Sequence, residues 1–168
     1  KMDDGSLKEF KGYRSAHNNA LGPCKGGVRF HQNVNIEEVK ALSTWMSLKA
    51  GLLEIPYGGG KGGISVDPKK LSERELENLS RGYIRGLHKY LGERIDIPAP
   101  DVNTNGKIMS YFTDEYIKLN GDRQEIGTFT GKPLILGGSL GRDEATGFGV
   151  VITTKYVAKK MDDYFKTL

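Results

Sequence analysis

The chain has 168 residues, 37% of them hydrophobic and 27% charged, which suits about one globular domain able to bury a core. Its formal net charge of +4 allows anion binding, but acids and bases are interspersed, as in Glu73-Arg74-Glu75, and no basic run with interleaved aromatics points to nucleic acid. No apolar run approaches the ~18 residues of a membrane span. The polar start Lys1-Met2-Asp3-Asp4 is not a signal peptide, and the lone Cys24 fits a reducing cytoplasm without a disulfide framework.

Segments of helical and strand periodicity alternate, which predicts an α/β domain. Residues around Phe10–Arg14 and Val28–His31 read as two strands flanking a turn at Gly22-Pro23. Asn35 then starts a helix with Glu38 as its capping-box partner, and the apolar stripe is Ile36, Val39, Leu42, Trp45 and Met46. Next comes Gly58-Gly59-Gly60-Lys61-Gly62-Gly63, read as a loop before a short strand at Ile64-Ser65-Val66.

That glycine stretch dominates the sequence. Glycine permits positive φ and close backbone approach to a ligand, and here five glycines surround one long cationic side chain. Gly58, Gly60 and Gly63 satisfy G-x-G-x-x-G, but a dinucleotide site needs a strand before it and a helix after it, and the order here is reversed. A P-loop fails as well, because Gly62 stands where a magnesium-binding Ser or Thr belongs. Lys61 is therefore expected to reach an anion or a carbonyl from a bare wall.

Ser72 and Glu75 form a second capping box, with Leu71 and Leu76 as a hydrophobic staple. The helix they open carries Leu76, Leu79, Tyr83 and Leu87 on one face, towards Leu91. Ile95-Asp96-Ile97 reads as a strand, and Pro98-Ala99-Pro100 holds Asp101 rigidly at its end, where α/β folds place reactive groups. A third helix bears Ile108, Phe112, Tyr116 and Leu119 and stops at Asn120-Gly121; a last one follows Arg142 through Val157 and Met161.

Lys25, Lys49 and Lys61 are candidates for one pocket, with Met46 on the face of Lys49. Converging cations and burial both disfavour a protonated lysine, which would then be fit for acid–base work on a carbonyl, with Asp101 as the matching acid. Taken singly, Lys49 also reads as a snorkelling lysine and Asp101 as a turn residue. No metal-ligand set is expected.

The run Gly22-Pro23-Cys24-Lys25-Gly26-Gly27-Val28-Arg29-Phe30, the glycine stretch with Asp67-Pro68, Pro98-Ala99-Pro100-Asp101, Thr130-Gly131-Lys132, and Gly137-Gly138-Ser139 through Arg142-Asp143-Glu144-Ala145-Thr146-Gly147 resemble glutamate dehydrogenase, in that family's order and spacing. The resemblance covers nearly the whole chain. It implies NAD- or NADP-linked oxidative deamination of L-glutamate to 2-oxoglutarate and ammonium by a cytoplasmic homohexamer. It also implies Lys61 and Asp101 as catalytic, Lys25, Met46, Lys49, Thr130 and Arg142 as substrate-binding, and Thr146 at the nicotinamide end of the cofactor.

The fold expected on this resemblance is a mixed β-sheet flanked by helices. Residues 1–148 would form the substrate-binding and oligomerisation domain, and 149–168 a helix leading to a nucleotide-binding Rossmann domain absent from this chain. The cofactor site would then lie largely outside these residues, and the chain alone would be inactive. Alternatives are an isolated oligomerisation or small-anion-binding module, and a dehydrogenase of apolar amino acids, which would carry an apolar residue in place of Lys25.

Overall fold

The computed structural model describes residues 1–121 and 125–166. Contacts divide the chain into two units, Lys1–Gly138 and Ser139–Leu168. The first contains strands β1 (Gly12–Asn18), β2 (Cys24–Phe30), β3 (Gly58–Ile64) and β4 (Asp96–Pro100) and helices α1 (Ile36–Leu52), α2 (Glu73–Leu87) and α3 (Gly106–Asn120). The second is built on α4 (Arg142–Lys166), which starts where the sequence indicates; Thr167 and Leu168, placed by the sequence in the connecting helix, lie outside the described residues.

The four strands form one mixed sheet in the order β1-β3-β2-β4. β1 runs antiparallel to β3, whereas β2 is parallel to both β3 and β4. β1 and β2 flank the Gly22-Pro23 turn as expected, but β3 lies between them. The expected glycine loop is itself this strand: Gly58–Ile64 pairs on both sides and every residue in it is buried. None of its glycines has a positive φ. Close approach, rather than turn-making, is what excludes side chains here.

The two faces of β3 show why. A Cβ on Gly59 would lie 2.2 Å from the Ser43 carbonyl oxygen and 2.6 Å from the Ser47 nitrogen, both backbone atoms of α1. On the other face, a Cβ on Gly62 would lie 2.2 Å from Tyr83 Oη of α2. α1 accordingly meets the sheet through Val39, Ser43 and Ala50; of the expected stripe Val39 is buried, Leu42 and Met46 are half-buried, and Ile36 and Trp45 face outward. Trp45 is 67% exposed. A strand without side chains accepts small helix residues, and the bulky ones turn outward.

The opposite face holds the apolar core. Val28, Phe30 and Ile64 from the sheet pack with Tyr83 and Ile84 of α2 and with Ile108, Met109, Phe112 and Tyr116 of α3. Phe129 stands edge-on to Tyr116 at 5.5 Å between ring centroids. Ser72 and Glu75 complete the reciprocal capping box at α2, and Gly121 ends α3 in the left-handed conformation, both as the sequence indicates. At α1 only half of the box forms. Asn35 accepts from the Glu38 N–H, but the Glu38 carboxylate turns away to Arg29.

Two glycines test this packing in opposite directions. Gly59→Ala should destabilise the fold by more than ~2 kcal/mol, because the atoms it meets are helix backbone and cannot step aside. Gly82→Ala, on α2 with open space at its Cβ, should stabilise by ~0.5–1 kcal/mol. Urea unfolding midpoints of the two variants against the parent chain read both.

Candidate active site

Strand alternation assembles the site. Residues of one strand alternate between faces, and Lys61 shares a face with Gly59, whose Cβ position abuts α1. In the paired register Lys25 sits beside Gly59 and Arg29 beside Gly63, so Lys25, Gly27 and Arg29 are on the α1 face too. Lys25 pairs with Ile97 and Gly27 with Ala99, which brings Asp101, just past β4, to the same face. The sheet thus collects Lys25, Arg29, Lys61 and Asp101 from three strands.

Lys61 is 6% exposed, and its Nζ donates to Asp101 Oδ1 at 2.6 Å. Asp101 Oδ2 accepts from Arg29 Nε at 2.8 Å, and Arg29 in turn binds Glu38 Oε1 at 2.5 Å. The backbone N–H of Asp101 donates to Thr104 Oγ1 at 2.7 Å, while that hydroxyl reaches the Val28 carbonyl at 2.8 Å. Thr104 therefore ties the Asp101 turn to β2. Gly27 makes room for it: a Cβ there would lie 2.6 Å from Asp101 Cβ.

Burial pushes the Lys61 ammonium down from its usual range; Asp101 opposes the shift, and Arg29 adds to it. For Asp101, burial pushes the carboxyl up, but hydrogen bonds from Lys61 and Arg29 outweigh it and hold the group below the ordinary carboxylate range. A buried amine of lowered basicity touching a carboxylate can pass a proton to or from a third group placed between them.

The other expected residues fall into three groups. Lys25 Nζ donates to Thr130 Oγ1 at 2.7 Å and to the Ile97 carbonyl at 3.4 Å, and the Thr130 N–H donates to the Pro98 carbonyl at 3.1 Å. These two are in contact. Met46 and Lys49 are on α1, half-buried and exposed respectively. Ser47 faces β1 through His17, while Glu38 faces β2 through Arg29, so the helix has a β1 flank and a β2 flank.

Lys49 follows Glu38 by eleven residues, about three turns, and so falls on the β2 flank, about 16 Å further along. Ser47 abuts Gly59, the partner of Lys25, so Lys49 is at the Lys25 end of the sheet. Arg142 and Thr146 begin α4 and belong to the second unit.

Arg29, Glu38 and Thr104 were not singled out by sequence reasoning. Period-two alternation from Lys25 through Gly27 could have revealed Arg29. Glu38 was hidden by its expected capping role, and the Thr104 bond that ties the Asp101 turn to β2 spans 76 residues of sequence.

The mixed sheet thus carries a part-buried lysine–aspartate pair with Lys25 and Arg29 on the same face. Residues 1–118 match the family described as Glu/Leu/Phe/Val dehydrogenase, dimerisation domain, and the chain belongs to that family. It is 70% identical to the NAD-specific glutamate dehydrogenase of Peptoniphilus asaccharolyticus over 97% of this chain and 40% of that protein. Identity to the NAD-specific glutamate dehydrogenase of Clostridioides difficile is 64%, over 96% of this chain and 38% of the relative.

Among solved structures, glutamate dehydrogenase from P. asaccharolyticus superposes with a TM-score of 0.90, covering 96% of this chain and 41% of that one. The hetero-hexameric glutamate dehydrogenase from Thermus thermophilus, in a leucine-bound form, gives 0.92 at 43% identity, covering 95% and 38%. The chain thus spans about two fifths of the length of the relatives it matches. Among the described residues no helix is long and apolar enough to cross a membrane.

The opposed influences on Lys61 give a signed prediction. Asp101→Asn removes the carboxylate that favours the charged amine, leaving burial and Arg29 to act against it, so the pKa of Lys61 should fall further. The rate of Lys61 acylation against pH, followed by mass spectrometry, should reach its midpoint at lower pH in the variant. An unmoved or higher midpoint would show that the pair is not coupled.

Proposed function

We propose that this chain is the substrate-binding and oligomerisation part of a cytoplasmic, NAD-dependent glutamate dehydrogenase, converting L-glutamate reversibly to 2-oxoglutarate and ammonium. Residues 1–148 form that part, and 149–168 lead towards the nucleotide-binding domain. The observation that carries this reading is the buried Lys61–Asp101 contact of 2.6 Å on a sheet face shared with Lys25 and Arg29. The names of the relatives support NAD, and the hetero-hexameric assembly of one structural neighbour, with the family's description as a dimerisation domain, supports a hexamer.

Asp101 takes the proton from the substrate's amino nitrogen, which frees the lone pair needed for carbon–nitrogen double-bond formation. NAD supplies the hydride acceptor when bound. Its site lies largely outside residues 1–168, with Thr146 on α4 as the contribution made here; the polar side chain of this threonine suits the carboxamide edge of a nicotinamide. Lys61, less basic than an ordinary lysine, then removes a proton from the attacking water and stabilises the tetrahedral carbinolamine. Lys25, in contact with Thr130, receives the far carboxylate, Lys49 the α-carboxylate, and Met46 lines the pocket; Arg142 is carried as a further substrate-binding residue on the resemblance alone. Opposite charge and hydrogen bonding make Lys25 the determinant of an acidic over an apolar side chain.

In the full-length protein, Lys61→Ala should abolish glutamate oxidation, a loss of at least ~10³-fold in kcat with circular dichroism unchanged. Residues 1–168 alone should show none. Near-normal kcat in Lys61→Ala would remove the lysine from the chemistry.

Specificity gives a second test. Lys25→Leu should reduce kcat/KM for glutamate relative to norleucine by ~10²- to 10⁴-fold, because the desolvated far carboxylate loses its charged partner. An unchanged ratio would leave Lys25 without a role in selecting the substrate.

A further inference from the structure

Asp101 is bound on both oxygens, and only one of its partners is accounted for by the proposed reaction. Oδ1 meets Lys61 and Oδ2 meets Arg29. A carboxylate held between two cations is a weak base, which sits badly with a group that must accept a proton from substrate. The structure supplies a counterweight. Arg29 Nη1 binds Glu38 Oε1 at 2.5 Å, completing a row of alternating charge: Lys61, Asp101, Arg29, Glu38.

Glu38 reaches this position by leaving its own helix cap half formed. Asn35 caps the Glu38 N–H, and the Glu38 carboxylate, which in a capping box would return to the Asn35 backbone, goes to β2 instead. Arg29 and Glu38 are only partly exposed, at 25% and 30% of their side-chain surface, so water screens their effect on Asp101 incompletely.

We propose that Arg29 and Glu38 are a positioning pair for Asp101: Arg29 fixes Oδ2 so that Oδ1 alone points at Lys61 and the substrate, and Glu38 offsets the guanidinium charge so that Asp101 can still carry a proton. This rests on the proposed proton transfer, and it adds two residues that touch neither substrate nor cofactor. The groups around the pair are Lys61 from β3, Arg29 from β2 and Glu38 from α1; His31 lines the same depression beside Arg29 and Glu38.

The sign follows from charge alone. Removing the negative charge of Glu38 leaves the row more positive, so protons leave both Asp101 and Lys61 more readily. Removing Arg29 does the reverse. Because Asp101 and Lys61 titrate together and respond in the same sense, the direction does not depend on which of them sets the acid limb of the rate profile.

The test uses the full-length protein and the pH profile of kcat/KM for glutamate oxidation. Glu38→Gln should move the acid limb down by ~0.5 pH unit and Arg29→Met should move it up by ~1, with the double variant between the two, ~0.5 unit above the parent. Arg29→Lys should keep the limb in place at a reduced rate, since an ammonium cannot present the guanidinium's fork to two carboxylates. His31→Asn should leave the limb where it is.

Shifts in the same direction for Glu38→Gln and Arg29→Met, rate losses with an unmoved limb, or a limb that follows His31→Asn would overturn the pair's role. Should Arg29→Met not fold, Glu38→Gln decides alone. Lys61 acylation midpoints in the same variants should move in the same directions. They need no turnover, so a protein inactive on glutamate refutes the proposed reaction without obscuring this result.

Discussion

The close approach of α1 and α2 to the two faces of β3 is the constraint from which the rest of the site follows. Helix backbone on one side and a tyrosine hydroxyl on the other leave no space for Cβ atoms at Gly59 and Gly62. Glycine in a strand lowers its intrinsic stability, and here pairing on both edges and burial on both faces offset that. Lys61 is the one residue between Gly58 and Gly63 with a side chain. Its ammonium is consequently surrounded by protein, and this burial lowers its basicity against the opposing influence of the Asp101 carboxylate.

The same register explains why the polar groups share one face while the apolar core takes the other. Val28 and Phe30 alternate with Gly27 and Arg29 along β2, so a single strand delivers core residues to α2 and α3 and charges to the α1 side. Behind the glycines, Arg14 and Asp96 form a second buried pair at 2.5 Å, on the core side. β3 thus separates the Arg14–Asp96 pair from the Lys61–Asp101 pair on the α1 face.

How much of this was legible in the sequence depended on the range of the interactions. The capping box of Ser72 and Glu75, the glycine stop at Gly121 and the start of α4 at Arg142 are local and were read correctly. So was Asp101 at a strand end, because two prolines limit the backbone before it. The glycine strand read as a loop, since glycine's low strand preference is overridden only by packing from α1 and α2, which are distant in sequence. For the same reason Trp45 was expected inside and faces outward. Glu38 served one expected local bond and was found in a longer-range one.

The central claim is that Lys61 and Asp101 flank the reacting carbon of an acidic amino acid whose far carboxylate meets Lys25. A crystal structure of the full-length protein with 2-oxoglutarate bound tests it directly. The account predicts the keto carbon between Lys61 Nζ and Asp101 Oδ1 and the far carboxylate on Lys25, with Arg29 still on Asp101 Oδ2. Ligand bound elsewhere, with the Lys61–Asp101 contact closed and Lys25 still on Thr130, would contradict it.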